Sequence, residues 1–241
     1  SVVNAAGTLS TSGPITSTSN ISLQTPGLLT ISHAVTTSGT GYVSLTGTGV
    51  TNTSNITAAN GIIIDAGTGV LTNTSTLTNL GGTGTISLAA DTMSLTGSIS
   101  AGSGSINLMT ATAGRGISIG AGTTANTLGL SVAALNTITS TGTFSIGNFF
   151  RTTTIVTVGS VPGVTGLVGK WVFQTAGGNI TLNHAVTTPA NLTLGTIGFI
   201  AGTTGAVNGT GALTIGPGGV NALSVSAREG INLSNVGNLA N

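Results

Sequence analysis

The sequence has no cysteine and very little charge: three carboxylates, four Lys or Arg and two His among 241 residues. The absence of cysteine excludes a disulfide scaffold and any thiolate metal site. So few carboxylates and imidazoles leave most acid–base chemistry without its parts. Four cations cannot make the basic stripe that a nucleic-acid partner requires. The formal charge of +1 rests on too few groups to indicate any partner. Aromatic residues make up 3% of the chain, too few for an ordinary globular core. No apolar run approaches the roughly 20 residues of a membrane-spanning helix. The stretch 155–173 comes nearest, and Pro162, several glycines and Lys170 interrupt it. Glycine does not recur at every third position, which excludes collagen.

What is abundant is equally informative. Gly, Thr, Ser and Asn together exceed half of the chain, beside 39% apolar residues. Disordered chains are poor in branched aliphatics and rich in net charge, the opposite of this balance. The chain begins with Ser1, not Met, which points to an export segment or longer precursor that has been removed.

Apolar–polar–apolar triplets recur behind glycine or turn clusters. Ile21-Ser22-Leu23, Val43-Ser44-Leu45, Ile62-Ile63-Ile64, Ile86-Ser87-Leu88 and Ile106-Asn107-Leu108 follow one another at a nearly even step. Secondary triplets such as Leu29-Thr30-Ile31 and Met93-Ser94-Leu95 lie between them. The pattern returns in Ile180-Thr181-Leu182, Leu192-Thr193-Leu194, Leu213-Thr214-Ile215, Leu223-Ser224-Val225 and Ile231-Asn232-Leu233. The phrase His-Ala-Val-Thr-Thr occurs at both 33–37 and 184–188. Alternation of period two over three to five residues means short strands with one buried face. β-branched residues and frequent glycine argue against helix. The expected fold is all-β: a parallel β-helix, or β-solenoid, of about 20–24 residues per coil. An antiparallel sandwich is the competitor, and unequal hairpins would not keep so regular a step.

The expected organisation is solenoid repeats over 1–145, an aromatic-containing hairpin or enlarged loop over 146–175, and solenoid repeats again over 176–241. Five of the seven aromatics, Phe144, Phe149, Phe150, Trp171 and Phe173, lie between 144 and 173, with Arg151 and Lys170 among them. A bulky turn packed on the core is the plain reading of this segment. The functional reading is a patch that meets another copy, with Phe149, Phe150, Arg151, Lys170, Trp171 and Phe173 as its candidates.

Gly84-Thr85-Ile86-Ser87-Leu88-Ala89-Ala90, Gly97-Ser98-Ile99-Ser100, Gly104-Ser105-Ile106-Asn107-Leu108 and Gly177-Gly178-Asn179-Ile180-Thr181-Leu182-Asn183, with the two His-Ala-Val-Thr-Thr phrases, resemble the repeats of filamentous-haemagglutinin-type bacterial exoproteins. The resemblance covers most of the chain apart from about 146–175. It implies a right-handed parallel β-helix, secreted and displayed at the bacterial cell surface, with a role in adhesion, biofilm or matrix building. No amino-terminal secretion domain of the two-partner type accompanies these repeats in the sequence.

Other chemistry finds little support. Asp65 and Asp91 are separated by one coil and a little more, so they would stack on adjacent coils, a thin basis for a carbohydrate-active β-helix enzyme. His33 and His184 occupy matching repeat positions and lack co-ligands for zinc. Gly67-Thr68-Gly69 and Gly102-Ser103-Gly104 precede no Lys-Ser/Thr and no helix, so they serve as coil corners, not phosphate loops. No catalysis and no cofactor are expected. Eight Asn-x-Ser/Thr sites, at Asn20, Asn52, Asn55, Asn73, Asn179, Asn191, Asn208 and Asn232, are candidate glycan acceptors, near the number that so Asn- and Thr-rich a chain carries by chance. Thr-x-Thr runs such as those in 72–78 and 137–143 resemble ice-binding solenoids, but the linear sequence does not place one at every repeat.

The expected function is an extracellular structural protein, the subunit of a self-associating filament or matrix at the bacterial cell surface. Its partner is another copy joined end to end, with cell-surface glycans or other matrix components as further candidates. The stretches 1–10 and 231–241 carry no charge and no helical cap, which leaves solenoid edges open. The alternative is a stalk region of a large secreted adhesin.

Overall fold

The computed structural model describes all residues except 121, 123–125, 163, 189–191, 196–204, 216–222 and 234–241. The chain is a parallel β-helix. Every strand pairing between described residues is parallel and joins strands of the same face. The chain divides into two compact units, 1–112 with 137–142, and 113–136 with 143–241.

The first unit has three faces. The first face holds Val2–Val3, Ile21–Gln24, Val43–Thr46, Gly61–Asp65, Thr85–Ala89 and Ile106–Met109. The second holds Leu9–Ser10, Leu28–Ile31, Gly49–Asn52, Val70–Asn73 and Thr92–Leu95. The third holds Ile15–Ser17, Val35–Thr37, Ile56–Ala58, Leu77–Asn79, Ile99–Ser100 and Ile138–Thr139. Each coil visits the three in turn. The register on the first face is the one the triplets dictate: Ile21 pairs Val43, Val43 pairs Ile62, Ile62 pairs Ile86 and Ile86 pairs Ile106. One coil is therefore one step from triplet to triplet, as expected.

In-register stacking turns each inward position into a column. Leu23, Leu45, Ile64, Leu88 and Leu108 form one, Leu29, Val50, Leu71 and Met93 another, and Val35, Ile56, Leu77 and Ile99 a third; all are buried. Each such side chain contributes about 1.5–3 kcal/mol by leaving water. A narrow core of this kind is filled by aliphatics, which accounts for the scarcity of aromatics.

Polar residues enter the interior where a coil turns. Between Ile31 and Leu95, the same column holds Asn52 and Asn73, both fully buried. The Asn52 side-chain amide donates to the Asn73 side-chain oxygen over 2.8 Å, and the Asn73 amide donates to the Ser75 carbonyl over 2.9 Å. At the far edge of the third face, Thr37, Asn79 and Ser140 donate to the carbonyls of Gly41, Gly84 and Gly104. The corner between the first and second faces stacks Gly27 on Gly7 and Gly47 on Gly27, so closely that a Cβ at Gly27 or Gly47 would strike the backbone oxygen of the preceding coil.

Residues 113–136 depart from this rhythm. They form Gly116–Gly120, Thr127–Ser131 and a single helical turn, Val132–Leu135, capped by the Ser131 hydroxyl, and belong to the second unit. Thr137–Gly142 then completes the first unit by pairing Ile138 with Ile99.

The second unit also stacks coils in parallel. One sheet holds Phe144–Thr152, Trp171–Gly177, Leu192–Gly195 and Leu223–Ser226. Another holds Thr127–Ser131, Gly116–Gly120, Ile155–Thr157, Ile180–Leu182, Ala206–Gly209 and Gly230–Leu233. A third pairs Val186–Thr188 with Leu213–Ile215. Its coils include longer ones: Phe144 pairs with Trp171 and Ile155 with Ile180, both wider steps than Val43 to Ile62 or Ile86 to Ile106 in the first unit. The wider coil encloses larger side chains. Phe144, Trp171 and Phe173 are all buried, with Phe144 and Trp171 edge to face at 5.0 Å.

Candidate assembly surface

All three strands of the first coil, Val2–Val3, Leu9–Ser10 and Ile15–Ser17, stand at an end of their sheets. Below them the ladder is complete, as in the Asn4 N–H to Gln24 carbonyl bond of 2.8 Å. Above them, among the described residues, no strand pairs with the outward row of backbone donors and acceptors. The core columns open with it. Val2, which heads the column of Leu23, is 51% exposed, and Leu9 and Ile15 are half-buried, whereas Leu29 and Val35 one coil below are fully covered. Val2, Leu9, Ile15 and Leu23 line a cleft of about 330 Å³ over this end. Natural sheet edges are blunted by charge, proline or a covering element. The stretch from Ser1 to Gln24 contains no charged side chain, and Pro14 is its only proline.

In the second unit, Leu223–Ser226 and Gly230–Leu233 stand at the ends of their sheets. Ile231 is 52% exposed. The corner between these strands carries Arg228 and Glu229, both exposed. Within the expected open segment 231–241, residues 234–241 lie outside the described residues.

The segment 146–175 does not form a hairpin. Its two strands run parallel, one coil apart, with Phe144 to Asn148 paired to Trp171 to Thr175. A hairpin would pair them antiparallel. The enlargement lies between them, where Val161, Val164 and Leu167 are buried and the Trp171 indole N–H donates to the Leu167 carbonyl over 3.0 Å. Trp171 and Phe173 are thus core residues and cannot supply a contact surface: the longer coil has room for them inside. Arg151 is half-buried and Lys170 is exposed. The register slips between Asn148 and Thr152, and Phe150 stands 67% exposed on that bulge. The Phe149 side chain lies outside the described residues.

Of the candidate glycan acceptors, Asn52 and Asn73 are fully buried in the amide ladder, which removes them as acceptors in the folded chain. Asn20, Asn55 and Asn179 are exposed, and each side-chain oxygen accepts a bond from the next coil, from Tyr42 N–H, Ser75 Oγ and Ala206 N–H. Asn208 is half-buried and Asn232 exposed. Asn191 lies outside the described residues.

Asp65 and Asp91 are not a stacked pair. Asp65 pairs with Ala89 on the first face and accepts from the Gly67 N–H over 2.9 Å, closing its own turn. Asp91 lies at the following corner, its N–H on the Gly67 carbonyl. Its buried carboxylate accepts from the Thr112 N–H over 2.8 Å and the Thr112 hydroxyl over 2.5 Å, tying one coil to the next. The two histidines do hold equivalent positions. The N–H of His33 is held by the Thr11 hydroxyl and that of His184 by the Thr157 hydroxyl, each from the preceding coil. Among the described residues no three His, Asp or Glu gather into a metal-binding group, and no helix is long and apolar enough to cross a membrane. No family model, curated protein or solved structure matches the chain.

Proposed function

We propose that this protein is an extracellular structural solenoid of the bacterial cell surface, which joins copies of itself coil upon coil into a filament or matrix. The observation that carries the reading is the in-register parallel stack itself, whose first strands, Val2–Val3, Leu9–Ser10 and Ile15–Ser17, form an edge without a charged side chain to repel an incoming strand. A further parallel coil laid on this edge would pair its outward backbone groups and cover Val2, Leu9 and Ile15. The near absence of charge supports the same reading, since repulsion between like-charged copies is what keeps many proteins apart. Hydroxyl columns such as Thr30, Thr51 and Thr72 take the place of charge on the outside.

The test is to place charge on the edge. Val3→Lys with Thr16→Lys leaves every buried column intact and introduces the device by which natural edges refuse partners. Sedimentation of the wild-type chain should show assemblies that grow with concentration, and the double variant should sediment as a single species. Equal assembly by both would remove the first coil from the contact. A wild-type chain that stays single would favour the stalk reading, in which further coils of one polypeptide continue the edge.

A further inference from the structure

The second face of the first unit carries a hydroxyl grid that the linear sequence conceals. The residues flanking its inner column read Ser10-Thr11-Ser12, Thr30-Ile31-Ser32, Thr51-Asn52-Thr53, Thr72-Asn73-Thr74 and Ser94-Leu95-Thr96. Strand pairing puts them in register over five successive coils. The middle residue of each is buried, so the two flanking residues point outward. One outward column is therefore Ser10, Thr30, Thr51, Thr72 and Ser94, and the second is Ser12, Ser32, Thr53, Thr74 and Thr96. On this face strict Thr-x-Thr stands only at 51–53 and 72–74, in line with the linear sequence; with serine admitted, the motif recurs on all five coils.

The grid has two dimensions. Neighbouring coils set the hydroxyls about 4.8 Å apart along a column, and two residues of strand set the columns about 6.6 Å apart. The second column is fixed in orientation. Ser32, Thr53, Thr74 and Thr96 donate from Oγ to the carbonyls of Thr11, Ile31, Asn52 and Asn73 on the coil before, at 2.8, 3.3, 3.3 and 3.5 Å. Each of these hydroxyls spends its proton on the backbone and turns its remaining lone pairs and, in the threonines, a methyl group outward. The buried Asn52–Asn73 pair braces the same coils from inside. Neither carboxylate of the unit is on this face. Asp65 belongs to the first face and Asp91 is buried at a corner. The column preceding the grid includes the exposed Leu28 and Val70.

We propose that this face binds the surface of ice. A crystal face of water repeats its oxygen atoms in two dimensions, as this face repeats its hydroxyls along and across the coils. Fixed hydroxyls supply lattice positions, and methyl groups between them restrict the orientations of the first-layer water. An uncharged face suits this occupant, because an ion would impose its own hydration shell. A crystalline polysaccharide is the less fitting occupant: sugar rings present apolar faces that aromatic side chains cover, and this face has none. The first face offers an internal contrast, since Ile63, Asp65 and Met109 interrupt its outward columns.

The inference is independent of assembly, because all ten hydroxyls lie within one unit. The experiment partitions the full chain between slowly growing ice and the remaining liquid, and records crystal shape in the same solution. The wild type should be enriched in the ice and facet the crystals. Thr51→Tyr with Thr72→Tyr, which breaks the centre of the grid, should lose both. Ser87→Tyr, outward on the first face, should retain both. Circular dichroism at the same temperature establishes that each variant is folded, and Thr72→Lys serves if the double variant is not. Exclusion of the wild type from ice, adsorption to crystalline polysaccharide in place of ice, or equal loss in Ser87→Tyr would each overturn the proposal.

Discussion

Asn52 and Asn73 occupy the same column one coil apart, joined amide to carbonyl over 2.8 Å with no exposure to water. Their neighbours above and below in that column are Ile31 and Leu95. The pair is therefore a two-rung polar ladder set in an aliphatic stack. Asn73→Ala strands the Asn52 amide in the interior and should cost about 1–3 kcal/mol, the penalty of a buried donor without a partner. Replacing both rungs, as Asn52→Leu with Asn73→Leu, removes donor and acceptor together and continues the flanking column. Chemical denaturation should find the double variant more stable than either single alanine variant. Additive losses would contradict the ladder.

Asp91 should behave as a structural carboxylate. Its two bonds to Thr112 join consecutive coils through a charged acceptor. Hydrogen bonds to charged groups contribute about 1.5–3 kcal/mol, so Asp91→Ala should lower stability by an amount in that range, read from the denaturation midpoint. Asp65→Ala should cost less, because Asp65 closes only its own turn. A larger loss at Asp65 would reverse this ranking.

Trp171 is the only tryptophan and is fully buried between Phe144 and Phe173. Its emission should be that of a dry environment in the folded chain and should not move when copies assemble. Trp171→Ala should cost about 3–5 kcal/mol through the cavity it leaves. Emission that shifts on dilution would place Trp171 at a contact between copies.

Much of this fold is legible in the sequence, and the reasons are local. The triplets beginning at Ile21, Val43, Ile62, Ile86 and Ile106 name the strands of the first face and fix their register, because a buried Ile/Leu pair cannot slip by one residue without facing water. The third face is harder to read. Val35, Ile56 and Leu77 each enter the core with one aliphatic and are followed by Thr, Ala or Asn at the next inward position. The inward Asn52 and Asn73 look like surface residues until their coil-to-coil pairing is known, and they also fall within glycan-acceptor motifs. The hydroxyl grid escapes for a related reason. Its members follow one another at about the coil length, and the unequal coils of the neighbouring face blur any fixed-period search. The aromatic cluster misleads in the opposite sense: bulky residues grouped in a strand-turn-strand pattern suggest a projecting hairpin, whereas a longer coil simply encloses them.

The most direct test of coil-upon-coil assembly is electron microscopy of the purified wild-type chain across a range of concentrations. The proposal predicts filaments in which the strand spacing of about 4.8 Å runs without interruption through the junction at the first coil. Dispersed single particles at every concentration, or filaments in which copies meet side by side with the first coil left open, would contradict it.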